Sequence, residues 1–182
     1  MWLVLATLGF YQLYLQWKLK NGQRFPEGII KNIQFLVGIP ALVFLGVYLF
    51  DPDELGFVFI HMPLVLRLVG VCLFNGAATL IFWSHITLGN FWSGDLETKP
   101  GHRVIDTGPY QFVRHPLYTS YLVMALGLLL MTGNWLVGNT LFLYFATVAA
   151  RSWKEEEMLL ERLGLSYAEY MKRTNRFLLW KK

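Results

Sequence analysis

The chain has 182 residues, one domain's worth, of which 55% are hydrophobic and only 15% charged; its mean hydropathy is +0.41. A soluble domain carries about one-quarter charged residues, so this composition excludes a water-soluble globule and a disordered chain alike. The net charge of +4 does not point to nucleic acid, because the basic residues cluster at the ends of apolar runs, where they set membrane orientation.

Residues 1–17, 32–50, 68–94 and 115–150 contain no Asp, Glu, Lys or Arg. A charge-free apolar run of about 18 or more residues is a candidate membrane helix. The first run lacks a basic leader and a small-residue cleavage site, so it reads as a retained helix. The second helix is expected over residues 30–50, stopping at Asp51-Pro52-Asp53-Glu54. The third is expected from Pro63 to His85, with Arg67 close to its entry. A polar, Gly- and Pro-containing segment follows that is far longer than an ordinary connection. The uncharged run from His115 to Ala150 would be about 54 Å long as a single helix, against a hydrocarbon core of about 30 Å. It must turn back, and Thr132-Gly133-Asn134 is the break. Beyond Ala150 the chain reads as an amphipathic helix carrying Glu155, Glu156 and Glu157. Gly164 suits the left-handed residue that closes it, and Ser166-Tyr167-Ala168-Glu169 matches a capping box opening a second short helix.

The expected fold class is therefore an all-α membrane protein with five transmembrane helices, the fourth and fifth forming a hairpin, and C-terminal amphipathic helices. Residues 1–87 supply N-terminal membrane helices and residues 88–182 the functional core of a single integral domain. The loops support five spans. Lys18, Lys20, Arg24 and Lys31 follow the first, only acids follow the second, Lys99, Arg103 and Arg114 follow the third, and eight Lys or Arg follow the fifth. That alternation puts the N-terminus outside and the long third loop and the tail in the cytoplasm.

Four features in those two cytoplasmic segments can carry chemistry. In Gly108-Pro109-Tyr110-Gln111-Phe112-Val113-Arg114-His115-Pro116-Leu117-Tyr118, Pro109 suits the first position of a short helix. Pro116 biases His115 away from helical geometry, which frees the imidazole and nearby backbone groups at a membrane entrance; the plainer reading is an interfacial anchor with Arg114 and Tyr118 at headgroup level. Glu155-Glu156-Glu157 cannot all face one way on a helix, so one or two turn inward, where a carboxylate can meet ribose hydroxyls or an ammonium; otherwise the triple is a charged surface stripe. The stretch from Tyr167 to Phe177 carries Lys172, Arg173 and Arg176. Basic residues there read anionic lipid, but a guanidinium fork beside aromatics also holds a carboxylate. In Leu88-Gly89-Asn90-Phe91-Trp92-Ser93, Gly89 allows close approach of a ligand and Trp92 is placed either to stack on a base or to join an aromatic belt. His61, His85 and His102 lack metal-ligand spacing, the single Cys72 sits within an apolar run, and no metal site is expected. No G-x-G-x-x-G or P-loop is present.

Leu88-Gly89-Asn90-x-Trp92-Ser93, Gly108-x-Tyr110, Arg114-His115-Pro116-x-Tyr118, Glu155-Glu156-Glu157-x-Leu159-Leu160 and Gly164-x-x-Tyr167-x-x-Tyr170 ending in Arg176-Phe177 together resemble the isoprenylcysteine carboxyl methyltransferase family. Related phospholipid methyltransferases share the Arg-His-Pro and Glu-Glu elements. The resemblance covers about half of the chain, in order; a proline commonly follows Arg-Phe in such tails, whereas Leu178-Leu179-Trp180 follow here. It implies a membrane-embedded enzyme using S-adenosylmethionine, with a cofactor pocket open to the cytoplasm and a lipophilic acceptor entering from the bilayer, membrane lipid around it and no nucleic acid. Carried over residue by residue, the cofactor-binding positions are Leu88, Gly89, Tyr110, Arg114, His115, Pro116, Tyr118, Glu155, Glu156 and Tyr167, and the catalytic ones, near the acceptor, are Arg173 and Arg176.

Methyl transfer to a carboxylate or thiolate needs alignment and exclusion of water more than it needs a base, so the lack of a nucleophile–base dyad fits. An amine acceptor, as in a phospholipid N-methyltransferase, would have to lose a proton, and His115 or a glutamate is the natural candidate. A membrane reductase of the sterol-reductase type, binding NADPH in the equivalent cavity, is the alternative enzyme. A non-enzymatic assembly or transport partner lacks a charged residue within a central span to mark a path.

Overall fold

The computed structural model describes residues 23–24, 28–51, 59–93, 97–98 and 101–177; the expected first membrane helix lies outside them. Helices α1 (Gly28–Phe50), α2 (Leu64–Leu88), α3 (Pro116–Thr132), α4 (Trp135–Leu163) and α5 (Leu165–Arg173) account for most of the described chain. They are joined by 3-10 turns at Gly89–Phe91 and Gly108–Gln111 and accompanied by a pair of two-residue antiparallel strands, β1 (Gln23–Arg24) and β2 (Glu97–Thr98), in the register Gln23 with Thr98 and Arg24 with Glu97. The strand pair is the one departure from an all-helical reading among the described residues.

The described residues divide into two compact units, one drawn from residues 28–77 and 118–151, the other from residues 1–27, 78–117 and 152–182. In the first, apolar side chains point outward along α1 and the start of α2: Phe35, Leu36, Ile39, Leu42, Leu64 and Val65 are all exposed. Such a surface suits hydrocarbon, where a helix satisfies its own backbone groups. Among the described residues two helices are long and apolar enough to cross a membrane, over Asn32–Phe50 and Leu64–Phe91, and Pro116–Thr132 is a shorter apolar helix.

With no hydrophobic drive between helices in lipid, association relies on close backbone approach at small residues. Gly70 and Gly127 supply it where α2 meets α3. A Cβ on Gly70 would lie 2.5 Å from the Met131 nitrogen, and one on Gly127 would lie 2.7 Å from the Phe74 nitrogen. The α3–α4 hairpin turns at the predicted Thr132-Gly133-Asn134. Gly133 sits at φ 68, its carbonyl accepts from the Ile60 N–H at 2.7 Å, and a Cβ there would lie 2.5 Å from the Ile60 oxygen. Buried Asn134 then caps α4, its Oδ1 accepting from the Val137 N–H at 3.0 Å, which meets one of the orphan donors of a helix start.

In the second unit, Ala78, Ile81, Ser84 and His85 form the buried stripe of the end of α2, at the i, i+3, i+4 spacing of a helix face. α4 runs without interruption through Ala150 to Leu163, so the span and the amphipathic segment expected after it are one helix. Gly164 does take a positive φ of 56, but with ψ −131, outside the left-handed helical region. The capping box is not formed: α5 begins at Leu165 with no side-chain cap, and the Ser166 hydroxyl donates backward to the Leu163 oxygen at 2.7 Å. The carbonyls at the end of α4 also need partners, and the hydroxyl answers that need instead.

The backbone approach at Gly70 and Gly127 leads to a stability prediction. G70A and G127A should each destabilise the detergent-solubilised protein by about 1–3 kcal/mol through overpacking, read as a lowered melting temperature. G76A, where an added Cβ meets nothing within 4 Å, should not lower it.

Candidate functional site

The second unit gathers Arg114, His115, Glu156 and Arg176 around one buried carboxylate. Pro116 opens α3 and is fully buried, leaving Arg114 in a bend and His115 outside the helix just before it, as the X-Pro restriction favours for His115. Their backbone N–H groups donate to the carbonyls of Asn175 and Arg176, at 2.8 and 3.0 Å, in a parallel bridge between Val113 and Asn175. This strand-like contact sets both side chains facing α4, where Glu156 is 2% exposed.

The Glu156 carboxylate accepts four hydrogen bonds. Its Oε1 accepts from Arg114 Nε at 2.8 Å, His115 Nε2 at 3.1 Å and Arg176 Nε at 3.1 Å. Its Oε2 accepts from Arg176 Nη2 at 2.5 Å. A carboxylate has about four lone-pair sites, two on each oxygen; here three donors share Oε1 and one reaches Oε2. Since an ionised carboxylate only accepts, His115 Nε2 carries the proton in this contact. Burial pushes the Glu156 carboxyl upward, but the hydrogen bonds from His115, Arg176 and Arg114 outweigh it and hold the group well below the usual carboxylate range.

Arg114 is fixed on its other side by backbone: Nη1 donates to the Met171 oxygen at 3.2 Å and to the Thr174 oxygen. Arg176 lies with its guanidinium carbon 4.2 Å from the ring centroid of Trp153, a cation–π distance. Glu155 is partly exposed and stands 3.7 Å from His115 Nδ1, while Glu157 faces outward. The triple thus splits into one inward, one bordering and one solvated carboxylate. Phe177 packs against the His115 ring at 5.8 Å between centroids.

Aromatic residues of α5 complete the wall. Buried Tyr170 donates its hydroxyl to the Tyr110 carbonyl at 2.6 Å, and its ring lies 5.8 Å from that of buried Tyr167. Burial first, then the charges of Glu156 and Glu155, push the Tyr167 phenol well above its ordinary value; burial does the same for Tyr170. Both remain neutral O–H groups and neither serves as a base near neutrality. Gly108 takes φ 56, and a Cβ there would lie 2.7 Å from Thr87 Oγ1 and 3.3 Å from Trp83 Nε1, so the turn presenting Tyr110 needs glycine for both conformation and space.

The remaining positions named from sequence fall elsewhere. Leu88 ends α2 and Gly89, at φ 52, opens the 3-10 turn beyond it. Trp92 is buried against His85 with ring centroids 5.0 Å apart, so its ring is already engaged and the base-stacking reading does not hold. Tyr118 belongs to the other unit, where its ring lies 6.4 Å from Tyr121. Arg173 is exposed and pairs with Asp106 at 3.3 Å. Sequence reasoning did not single out Trp153, Asp106, Thr174 or the Met171 carbonyl. Trp153 alone carried a usable signal, lying three residues before Glu156 on a helix and hence on the same face. Among the described residues no group of three His, Cys, Asp or Glu could hold a metal ion.

Residues 68–161 match the model of the isoprenylcysteine carboxyl methyltransferase (ICMT) family. The chain is 33% identical over 92 residues to the cobalt-zinc-cadmium resistance protein CzcN of Cupriavidus metallidurans, covering 50% of this chain and 43% of that protein. It is 30% identical over 130 residues to the Delta(14)-sterol reductase TM7SF2 of Mus musculus, covering 69% of this chain and 31% of the reductase. It therefore spans less than half the length of these curated relatives. A solved structure of the eukaryotic intramembrane Ras methyltransferase ICMT shares the fold, with a TM-score of 0.60 at 20% identity over 81% of this chain and 52% of that one.

Removing Glu156 strands two guanidinium groups beside a buried gap. E156A should cost about 3–5 kcal/mol of stability, the usual penalty for breaking a buried ion pair, whereas R173A at the exposed pair should cost under about 1 kcal/mol. The stability from Glu156 is fully present above the unfolded-state carboxyl value of about 4.3 and drains as the pH falls below it toward the lower folded value. Melting temperature should accordingly fall more steeply on acidification from pH 5 in the wild type than in E156Q.

Proposed function

The chain belongs to the isoprenylcysteine carboxyl methyltransferase family, and from that premise we propose that it is an integral membrane methyltransferase that uses S-adenosylmethionine and methylates the carboxylate of a small lipophilic acceptor of the isoprenylcysteine type. The observation that carries this reading is the Arg114–His115–Glu156–Arg176 cluster, built from the Arg-His-Pro, Glu-Glu and Arg-Phe elements together.

The donor set fits the cofactor. S-adenosylmethionine, when bound, supplies a methyl group activated by a sulfonium. Its ammonium and ribose hydroxyls call for acceptors, and partly exposed Glu155 at the border of the cluster offers one. Glu156, buried and held by four hydrogen bonds, acts by positioning: it holds His115 and both arginines in place. Tyr110 and Tyr167 line the wall, and the aromatic surface of Phe177 beside His115 suits a flat heterocycle. Leu88, Gly89 and Pro116, from the same unit as the cluster, carry no charge of their own.

Arg176 is the group proposed to meet the acceptor. One edge of its fork is committed to Glu156, and Nη1 makes no hydrogen bond with the described residues. That remaining edge suits a second carboxylate. Arg173, paired with Asp106 at the surface, is left to fasten α5 rather than to touch substrate. A carboxylate acceptor is already the nucleophile, so no proton moves during transfer. The residues align the reactants and exclude water, and the tyrosines need no base strength. The site is assigned to residues 88–182, in a topology of five spans with the N-terminus outside and the site cytoplasmic, as the loop charges require.

The likeness to a sterol reductase supplies a second reading, in which NADPH occupies the same region. Two measurements separate them. Thermal-shift titration of the solubilised protein should show stabilisation by S-adenosylmethionine or S-adenosylhomocysteine and none by NADPH. Labelled methyl should pass from S-adenosylmethionine to N-acetyl-S-farnesylcysteine or to a component of host lipid extract. E155A should weaken S-adenosylhomocysteine binding by about tenfold or more, the loss of one charge-assisted hydrogen bond, with the melting temperature held; stabilisation by NADPH alone overturns the assignment.

A further inference from the structure

Trp153 is large, aromatic and 57% exposed, and burial does not explain it. It lies on α4 three residues before Glu156, so the two side chains stand side by side on one helix face. Arg176 lies across both. Glu156 grips one edge of the guanidinium through Nε at 3.1 Å and Nη2 at 2.5 Å, and the guanidinium carbon lies over the Trp153 ring, 4.2 Å from its centroid. An edge contact alone leaves a guanidinium free to hinge about the axis through its two hydrogen bonds. A ring packed against the group restricts that freedom, so the two contacts together constrain both its position and its plane. The Arg176 side chain keeps 22% exposure, with Nη1 outside the Glu156 contact, so the orientation fixed in this way is that of the edge still able to receive an anion.

We propose that Trp153 is a positioning residue of this site, forming with Glu156 a two-sided seat that sets the plane of the Arg176 guanidinium and so aims its Nη1 edge at the acceptor carboxylate. The inference rests on the reading of Arg176 given above. Cation–π attraction at a partly exposed site is equivalent to a change of about two- to fivefold in a binding constant. Any flat aromatic ring supplies part of it, and an aliphatic side chain supplies none.

The test uses the whole chain in detergent micelles, as wild type, W153F and W153L. The Arg176 side-chain N–H resonance, assigned by its loss in R176K, reports stacking directly, because a ring overhead shifts it upfield. It should move downfield in W153L and stay close to its wild-type position in W153F. With N-acetyl-S-farnesylcysteine as acceptor, W153L should raise the acceptor KM about two- to fivefold with kcat held, and W153F should restore most of that loss. An Arg176 resonance unmoved in W153L, or equal kinetic losses in both variants, overturns the proposal. A wild-type chain that transfers no methyl group overturns the reading of the site instead, and the resonance then decides the seat by itself.

Discussion

A carboxylate taken out of water must find enough donors to replace its hydration, and Glu156 is where this molecule meets that demand. Two guanidinium groups and an imidazole converge on it, drawn from segments far apart in sequence. Each partner is placed by something else. Arg114 leans on the carbonyls of Met171 and Thr174, His115 precedes a buried proline, and Arg176 rests on Trp153. Buried ion clusters add little net stability compared with well-packed apolar groups of the same size. What this one supplies is geometry: a single arrangement in which four polar groups, placed by three stretches of chain, hold one another in position.

The same constraint accounts for the tyrosines. A buried wall cannot ionise cheaply, and Tyr167 and Tyr170 stay neutral while contributing ring surface. The Tyr170 hydroxyl ties α5 to the backbone at Tyr110, and the parallel bridge between Val113 and Asn175 continues the tie to the edge of the cluster. An irregular segment next to a membrane helix thereby gains backbone partners that its own local structure does not provide.

Much of this was legible in the sequence, and the limits are instructive. Charge-free runs marked α1, α2 and the hairpin because lipid tolerates few charges. Gly133 marked the turn because only glycine accepts its φ beside the Ile60 carbonyl. Pro116 marked the release of His115 from helical geometry. The triple of glutamates gave the right division into inward and outward members, although which one is buried depends on the phase of a helix that begins at Trp135. The capping box failed because Ser166 had a competing carbonyl at Leu163. The grip on Arg114 was invisible, since it uses backbone oxygens of Met171 and Thr174, and a carbonyl carries no residue-type signature. Arg173 and Arg176 looked equivalent until their partners, Asp106 and Glu156, were known.

The parallel bridge has a consequence for how the protein is made. Arg114 leaves the ribosome long before Thr174 does; the two are 60 residues apart, about 3–12 s of translation. Throughout that interval the early strand, with its arginine and histidine, has no later strand to pair with. A newly made chain must therefore shield this region, by water, lipid or a chaperone, until synthesis brings the missing stretch within reach.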